Sequence, residues 1–193
     1  MTVAGLLLAA GAGRRMGSPK ALLQLDGQTL VERGVDLLRD AGCGPVLVVL
    51  GANAEQVRRH VDADVVLAPD WEEGLGASLR AGLAALAATP ATACVVALVD
   101  QPLIGVDAVR RLIAVDGETA AAVATYGGRP RNPVLLSRAI WPDVAELAHG
   151  DVGARMWLRA HPEQVRSVAC DDTGSAVDVD TPETLATVRD LIE

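Results

Sequence analysis

The stretch from Leu8 to Lys20, LAAGAGRRMGSPK, sets three glycines, two arginines and a lysine directly after the apolar opening VAGLLLAA. Gly11 and Gly13 permit positive φ and let backbone N–H groups approach an anion, and Arg14, Arg15 and Lys20 add charge-assisted hydrogen bonds. A polyphosphate is the guest that such a loop suits. Two familiar phosphate loops are excluded by spacing. The dinucleotide fingerprint needs GxGxxG and an acidic residue near the end of the second strand; here the glycines stand at 11, 13 and 17, and the second strand ends VVLGAN without a carboxylate. The P-loop needs GxxxxGK[ST], but Ser18 and Pro19 separate Gly17 from Lys20. The plainer alternative, a tight strand-to-helix turn with solvated basic residues, is weakened by three cations flanking one turn in an otherwise acidic chain.

Carboxylates beside a triphosphate would repel it unless a divalent cation, here expected to be Mg2+, stands between them. Asp100 ends the apolar run CVVALV, which brings its carboxylate to the edge of the sheet that carries the glycine loop; capping a turn with Pro102 is the rival role. Asp178 and Asp180 are two apart in VDVDTPE. If that segment is extended, both carboxylates share one face, with Val177 and Val179 on the other, a geometry suited to joint metal binding. Either could instead cap the following helix, Asp180 more readily because it stands just before Thr181-Pro182.

Further along the chain the candidates are weaker. WEEGLGASLRAGL (Trp71 to Leu83) reads as a glycine-containing loop entering a helix, with Ser78 and backbone groups free for a base or ribose, or else as an ordinary amphipathic helix. GGRPRNP offers Arg129 and Arg131 to an anionic acceptor, or to solvent at a hairpin tip. Asp151 and Arg155 in GDVGAR are four apart and would pair on a helix, in competition with a role in acceptor binding. His60, His149 and His161 have no metal-ligand spacing and receive no catalytic role.

These residues need a scaffold. Strand-length apolar runs recur at Val3 to Ala9, Val46 to Leu50, Val65 to Ala68, Ala93 to Val99, Ala120 to Thr125 and Asn132 to Leu136. Most are continuous, as strands covered on both faces must be. Helical periodicity fills the gaps at Leu30 to Ala41, Ala54 to Val61, Leu75 to Ala88, Val106 to Ile113, Arg138 to Ala148, Val152 to Ala160 and Pro182 to Ile192. The alternation predicts an α/β fold with a mainly parallel sheet wound on both faces, where ligands bind beyond the carboxyl ends of the strands.

Composition agrees. The 193 residues suit a single domain, residues 1–193, and with three Trp, one Tyr and no Phe its core must come from small aliphatic side chains. The net charge of -8 argues against a nucleic-acid partner, because backbone binding needs many phosphate-neutralising cations. Three scattered cysteines, Cys43, Cys94 and Cys170, fit neither a disulfide framework nor structural zinc, and the expected location is a reducing cytoplasm. The first apolar run is too short for a bilayer, lacks a basic segment before it and is followed at once by the charged glycine loop, so no membrane partner is expected.

The loop resembles the signature L-A-[AG]-G-x-x-x-R-M-G-x-x-K of molybdenum-cofactor-type nucleotidyltransferases, the cytidylyl- and guanylyltransferases that attach a nucleotide to molybdopterin. The resemblance continues through WEEGLGASLRAGL, LVDQPLI, RNPVLL, GDVGAR and VDVDTPETL, in order along nearly the whole chain. It implies a Rossmann-like three-layer fold with a mainly parallel mixed sheet of the GT-A-like type. It also implies Mg2+-dependent transfer of a nucleoside monophosphate from an NTP to a phosphorylated acceptor such as molybdopterin, with release of pyrophosphate. Carried over residue by residue, Arg15, Lys20 and Asp100 would be catalytic. Leu8, Ala9, Ala10, Gly11, Gly13, Arg15, Lys20, Gly76 and Ser78 would hold the nucleotide, and Asp100 with Asp178, partnered by Asp180, the metal. Arg131, Asn132, Asp151 and Arg155 would meet the acceptor, although relatives carry Gly-His or Gly-Asn where this chain has Arg131-Asn132. Ala10 resembles the cytidylyl type, whereas guanylyl members carry LAGG, so CTP is the expected NTP and GTP the alternative. A sugar-1-phosphate nucleotidyltransferase, usually longer, and a non-catalytic nucleotide-binding protein are the remaining rivals.

Overall fold

The computed structural model of the chain describes residues 2–192. In chain order come β1 (Val3–Leu8), a short hairpin of β2 (Gln24–Leu25) and β3 (Gln28–Thr29), α1 (Leu30–Asp40), β4 (Val46–Leu50), α2 (Ala54–Arg58), β5 (Asp64–Leu67) and α3 (Leu75–Leu86). They are followed by β6 (Ala93–Leu98), α4 (Val106–Ala114), β7 (Ala121–Tyr126), β8 (Arg129–Ser137), α5 (Trp141–Leu147), α6 (Arg155–Ala160), β9 (Val165–Ala169) and α7 (Pro182–Asp190). All six apolar runs enter one seven-stranded sheet, in the order β5-β4-β1-β6-β8-β7-β9. β1 lies between β4 and β6 and parallel to both, so every one of its residues is buried.

The sheet is mixed because β8 runs antiparallel to β6 and to β7. That reversal follows from Gly127 and Gly128, both at positive φ (58° and 69°), which turn β7 back into β8 as a tight hairpin. β9 was not expected from hydrophobicity. It is an edge strand, parallel to β7, with a largely exposed VRSVA sequence that carries no continuous apolar run.

Successive residues of a strand face opposite sides, and β1 shows what this does for the core. Leu7 packs with Val35, Leu38, Val48, Val95 and Leu112 on the face covered by α1 and α4. Leu6 packs with Val49, Leu79, Leu83, Val96 and Trp157 on the face covered by α3, α5 and α6. Each fully buried leucine contributes roughly 1.5–3 kcal/mol, so the centre of the sheet is well packed on both faces where the loops leave it.

The starts of α1 and α7 are each capped by a side chain. Thr29 caps α1 in a reciprocal box, accepting from Glu32 N (3.3 Å) while Glu32 Oε2 accepts from Thr29 N (2.7 Å). Thr181 caps α7 by accepting from Thr184 N (3.3 Å), with Pro182 at the first helical position. The helix expected over residues 152–160 begins only at Arg155, because Gly153 adopts φ 49° and ψ -131° after a 3-10 turn at Gly150–Val152. Among the described residues no helix is long and apolar enough to cross a membrane.

Candidate active site

The chain leaves β1 through Ala9 and Ala10, held to the neighbouring strand by Ala9 N donating to the Val49 carbonyl (2.9 Å) and Ala52 N to the Ala10 carbonyl (3.0 Å). Gly13 then takes φ 61°, and a Cβ there would collide with the Ser18 carbonyl oxygen, so only glycine lets the loop fold back on itself. Gly11 differs from expectation: its φ is not in the left-handed region, and nothing of the protein lies within 4 Å of the place a Cβ would take. Its backbone is open to a guest. After Gly17 (φ 70°) the buried Ala21 anchors a 3-10 turn that starts at Lys20 and turns the ammonium inward, leaving its side chain 17% exposed.

Lys20 meets the carboxylates that the rest of the chain delivers. Its Nζ donates to Asp100 Oδ2 at 2.8 Å and also to Asp180 Oδ1. Asp100 stands just past β6, and Val179 N donates to its carbonyl at 2.8 Å, which stitches the VDVD segment to the end of that strand. Val179 is fully buried, and Asp178 and Asp180 on either side of it face the opening. Because the Thr181 hydroxyl caps α7, the Asp180 carboxylate is free for Lys20. Asp178 has a different partner: Gln101 Nε2 donates to its Oδ1 at 2.9 Å. Only the NH2 end of that amide can face a carboxylate, and its Oε1 is left buried without a hydrogen-bond partner.

The charges shift accordingly. Burial pulls the Lys20 ammonium down, but the charge of Asp100 and the hydrogen bonds to Asp100 and Asp180 outweigh it, and its pKa is raised. The Lys20 hydrogen bond holds Asp180 below the ordinary carboxylate range. Burial pushes Asp178 up against the opposing hydrogen bond from Gln101, and the negative charges of Asp100 and Asp180 add to the rise.

Among the described residues no three acidic, histidine or cysteine side chains converge into a ready-made metal cage. The Mg2+ expected from the sequence binds through one or two carboxylates together with substrate phosphates and keeps the rest of its shell as water. The donor set here is hard oxygen: Asp100, and Asp178 with one oxygen not engaged by Gln101.

These groups line a cleft of about 840 Å3 over the carboxyl ends of β1 and β6. Leu8, Ala10, Gly11, Gly13, Arg15, Lys20, Ser78, Asp100, Asp178 and Asp180 all reach it, and so do Arg131, Asn132, Asp151 and Arg155 from the other side. Ala9 and Gly76 do not. Ala9 points into the core at 2% exposure, and Gly76 lies where a Cβ would stand 2.6 Å from the Ala148 carbonyl oxygen, which makes it a close-packing residue between α3 and the end of α5. Asp151 and Arg155 share no helix. Asp151 Oδ1 instead approaches Leu75 N at 3.4 Å, at the start of α3, which has no side-chain cap of its own. Arg131 and Arg155 take part in none of the ion pairs among the described residues, so both guanidiniums are free to meet an anion.

Among the cleft residues that spacing did not single out are Gln101 and Trp71. Gln101 is 5% exposed, and a polar residue beside Asp100 and before Pro102 was its only signal. Trp71 is one of four aromatic residues in the chain, three places before Gly74.

The profile of the MobA-like NTP transferase domain matches residues 5–165. Nicotine blue oxidoreductase from Paenarthrobacter nicotinovorans is 40% identical over 192 residues, covering 94% of this chain and 93% of that protein. Molybdenum cofactor guanylyltransferase from Cereibacter sphaeroides is 34% identical, covering 100% of this chain and 98% of that one. The crystal structure of Rv0371c from Mycobacterium tuberculosis H37Rv is similar at a TM-score of 0.86 and 34% identity, covering 98% of this chain and all of that one. A second structure of Rv0371c, in complex with manganese, matches at a TM-score of 0.82 and 32% identity over 98% and 99% of the two chains.

Proposed function

The chain belongs to the MobA-like NTP transferase family, and we propose that it transfers a nucleoside monophosphate from CTP to a phosphorylated acceptor of the molybdopterin type, releasing pyrophosphate. The observation that carries this reading is the convergence, in one cleft, of a glycine loop bearing Arg15 and Lys20 with carboxylates that come from β6 and from the segment before α7. Neither half is of use without the other: the loop supplies cations and open backbone to phosphates, and the carboxylates supply oxygen ligands.

The reaction is an in-line attack of an acceptor phosphate oxygen on the α-phosphorus. The bond from that phosphorus to the bridging oxygen breaks, and pyrophosphate takes the electron pair. Asp100 and Asp178 would hold Mg2+, which supplies positive charge to the phosphate oxygens when bound. Arg15 and Lys20 face the charge that develops on those oxygens, and Gly11 exposes backbone to them. Arg131, Asn132 and Arg155 lie across the cleft, where they hold the acceptor's phosphate and turn it towards the α-phosphorus. Positioning and electrostatics can supply most of the rate enhancement, so no covalent intermediate is required. The manganese complex of Rv0371c and the guanylyltransferase relatives support a divalent cation and a molybdopterin acceptor for this chain. The choice of CTP over GTP rests on the methyl of Ala10 in the cleft wall.

The 40% identical relative named an oxidoreductase raises a second reading, redox chemistry on the same fold. A nicotinamide dinucleotide would meet neither GxGxxG spacing after β1 nor a carboxylate after β4, where the chain reads Gly51-Ala52-Asn53. One assay separates the two. A panel of NTPs with Mg2+ is read by thermal shift, then by pyrophosphate release with molybdopterin, beside NADH and NADPH oxidation with nicotine blue, the dye that relative is named for, as the electron acceptor. Stabilisation by CTP and pyrophosphate release carry the proposal; nicotinamide oxidation without pyrophosphate release overturns it.

A further inference from the structure

The phosphate loop follows β1 and the acceptor-side residues Arg131 and Asn132 belong to β8, two strands away past β6. A nucleotide whose α-phosphate lies between Lys20, Asp100 and the acceptor must therefore send its base the other way, over the ends of β4 and β5. Trp71 stands there. It opens the 3-10 turn Trp71–Glu73, with its own N–H donating to the Ala68 carbonyl (3.2 Å) just past β5 and its carbonyl accepting from Gly74 N (3.1 Å). Part of the side chain packs on the cluster of Leu6, Leu8 and Leu79, and part lines the cleft.

Its seat is made for it. A Cβ on Gly51, the residue after β4, would stand 2.5 Å from both Cβ and Cγ of Trp71 and 2.9 Å from Cβ of Ala10. The absent Gly51 side chain is what lets the indole lie so close to the phosphate loop. Trp71 is also the one aromatic residue of the cleft among the described residues; Trp141 and Trp157 are core residues at 4% and 1% exposure. An indole presents a flat apolar face at low entropic cost, and bases stack on such faces whatever their hydrogen-bonding edge.

We infer that Trp71 is the stacking wall of a nucleobase pocket whose depth is set by Ala10 and Gly51. The inference rests on the proposed NTP reading and adds the residue that grips the base, as distinct from the phosphates. It predicts that base binding and phosphate binding separate in mutants.

Calorimetry with CTP and Mg2+, with inorganic tripolyphosphate and Mg2+ as the baseless probe, tests this alongside intrinsic fluorescence. Trp71→Ala is expected to weaken CTP about 5- to 100-fold, the effect of losing one base–aromatic stack, and to bind tripolyphosphate within twofold of wild type. Trp71→Phe keeps a stacking face and is expected to bind CTP within about fivefold, while the CTP-dependent change in tryptophan fluorescence expected of wild type disappears. This variant carries the test if the alanine variant does not fold. Unaltered CTP affinity in Trp71→Ala, an equal loss of tripolyphosphate affinity, or a fluorescence change that persists in Trp71→Phe would each overturn the assignment to Trp71 alone. Failure of wild type to bind any NTP would overturn the nucleotidyltransferase reading and this inference with it.

Discussion

Lys20 and Asp100, eighty residues apart, meet at 2.8 Å, and the same ammonium also donates to Asp180. The pairing ties the phosphate loop to the end of β6. It also sets a cation between carboxylates that would otherwise repel one another, and in doing so shapes the cleft before any nucleotide arrives.

Lys20→Ala is expected to lower turnover on the order of 100- to 1000-fold, as removal of one preorganised donor to a charged transition state does, and Arg15→Ala is expected to do the same. Arg15 is the more exposed of the two, at 72%, and reaches Asp180 only at 3.8 Å, so its loss should leave thermal stability unchanged while Lys20→Ala lowers it. Pyrophosphate release and melting temperature measured on both variants check the pair. Near-normal release by both would remove them from the chemistry.

Asp100→Asn keeps the shape of the side chain and removes its charge. Calorimetry should show that CTP affinity in the variant no longer rises on adding Mg2+, whereas in wild type EDTA removes the same increment. A variant that still responds to Mg2+ as wild type does places the metal elsewhere.

Gly13→Ala should be more damaging than Gly11→Ala for folding of the loop, although both glycines belong to one motif. At Gly13 the methyl meets the Ser18 carbonyl in a left-handed backbone, whereas at Gly11 it meets nothing of the protein. The expected pattern is a lowered melting temperature for Gly13→Ala. For Gly11→Ala it is a normal melting temperature with weakened CTP binding, because the methyl occupies the space left to the phosphates.

Away from the cleft, the Arg111 guanidinium donates to both oxygens of Asp172 at 2.7 Å and holds that carboxyl down at about 2. A carboxyl whose pKa is lower folded than unfolded contributes stability above its unfolded value, near 4, and loses it as the pH falls towards 2. Asp172→Asn should therefore melt below wild type at pH 7, with the gap closing between about pH 4 and pH 2. A gap that stays constant over that range would exclude the ion pair as its cause.

Much of the scaffold was legible because burial on both faces leaves a simple trace. β1, β4 and β6 are continuous apolar runs, and strand after helix after strand admits few topologies. β9 left no such trace, since an edge strand covered on one side needs only scattered apolar residues, and the start of α6 depended on a glycine conformation that periodicity does not report. In the loop, spacing alone excluded two phosphate-binding motifs and drew attention to Arg15 and Lys20.

What spacing could not decide was who pairs with whom. Asp178 and Asp180 share one face of VDVD if that segment is extended, and nearness to Thr181-Pro182 made Asp180 the readier helix cap. Folding makes them different: Thr181 takes over the helix cap, Asp180 turns to Lys20, and Asp178 receives the amide of Gln101. Gly76 and Gly11 likewise looked like two glycines of a nucleotide site, yet one is filled by the Ala148 backbone and the other is open. The sequence by itself determined the α/β class, the loop and the supply of charged groups, because those depend on local pattern and residue chemistry. The division of labour among the carboxylates and the seat of Trp71 over Gly51 and Ala10 were decided only by the tertiary structure, because they depend on contacts between segments many residues apart.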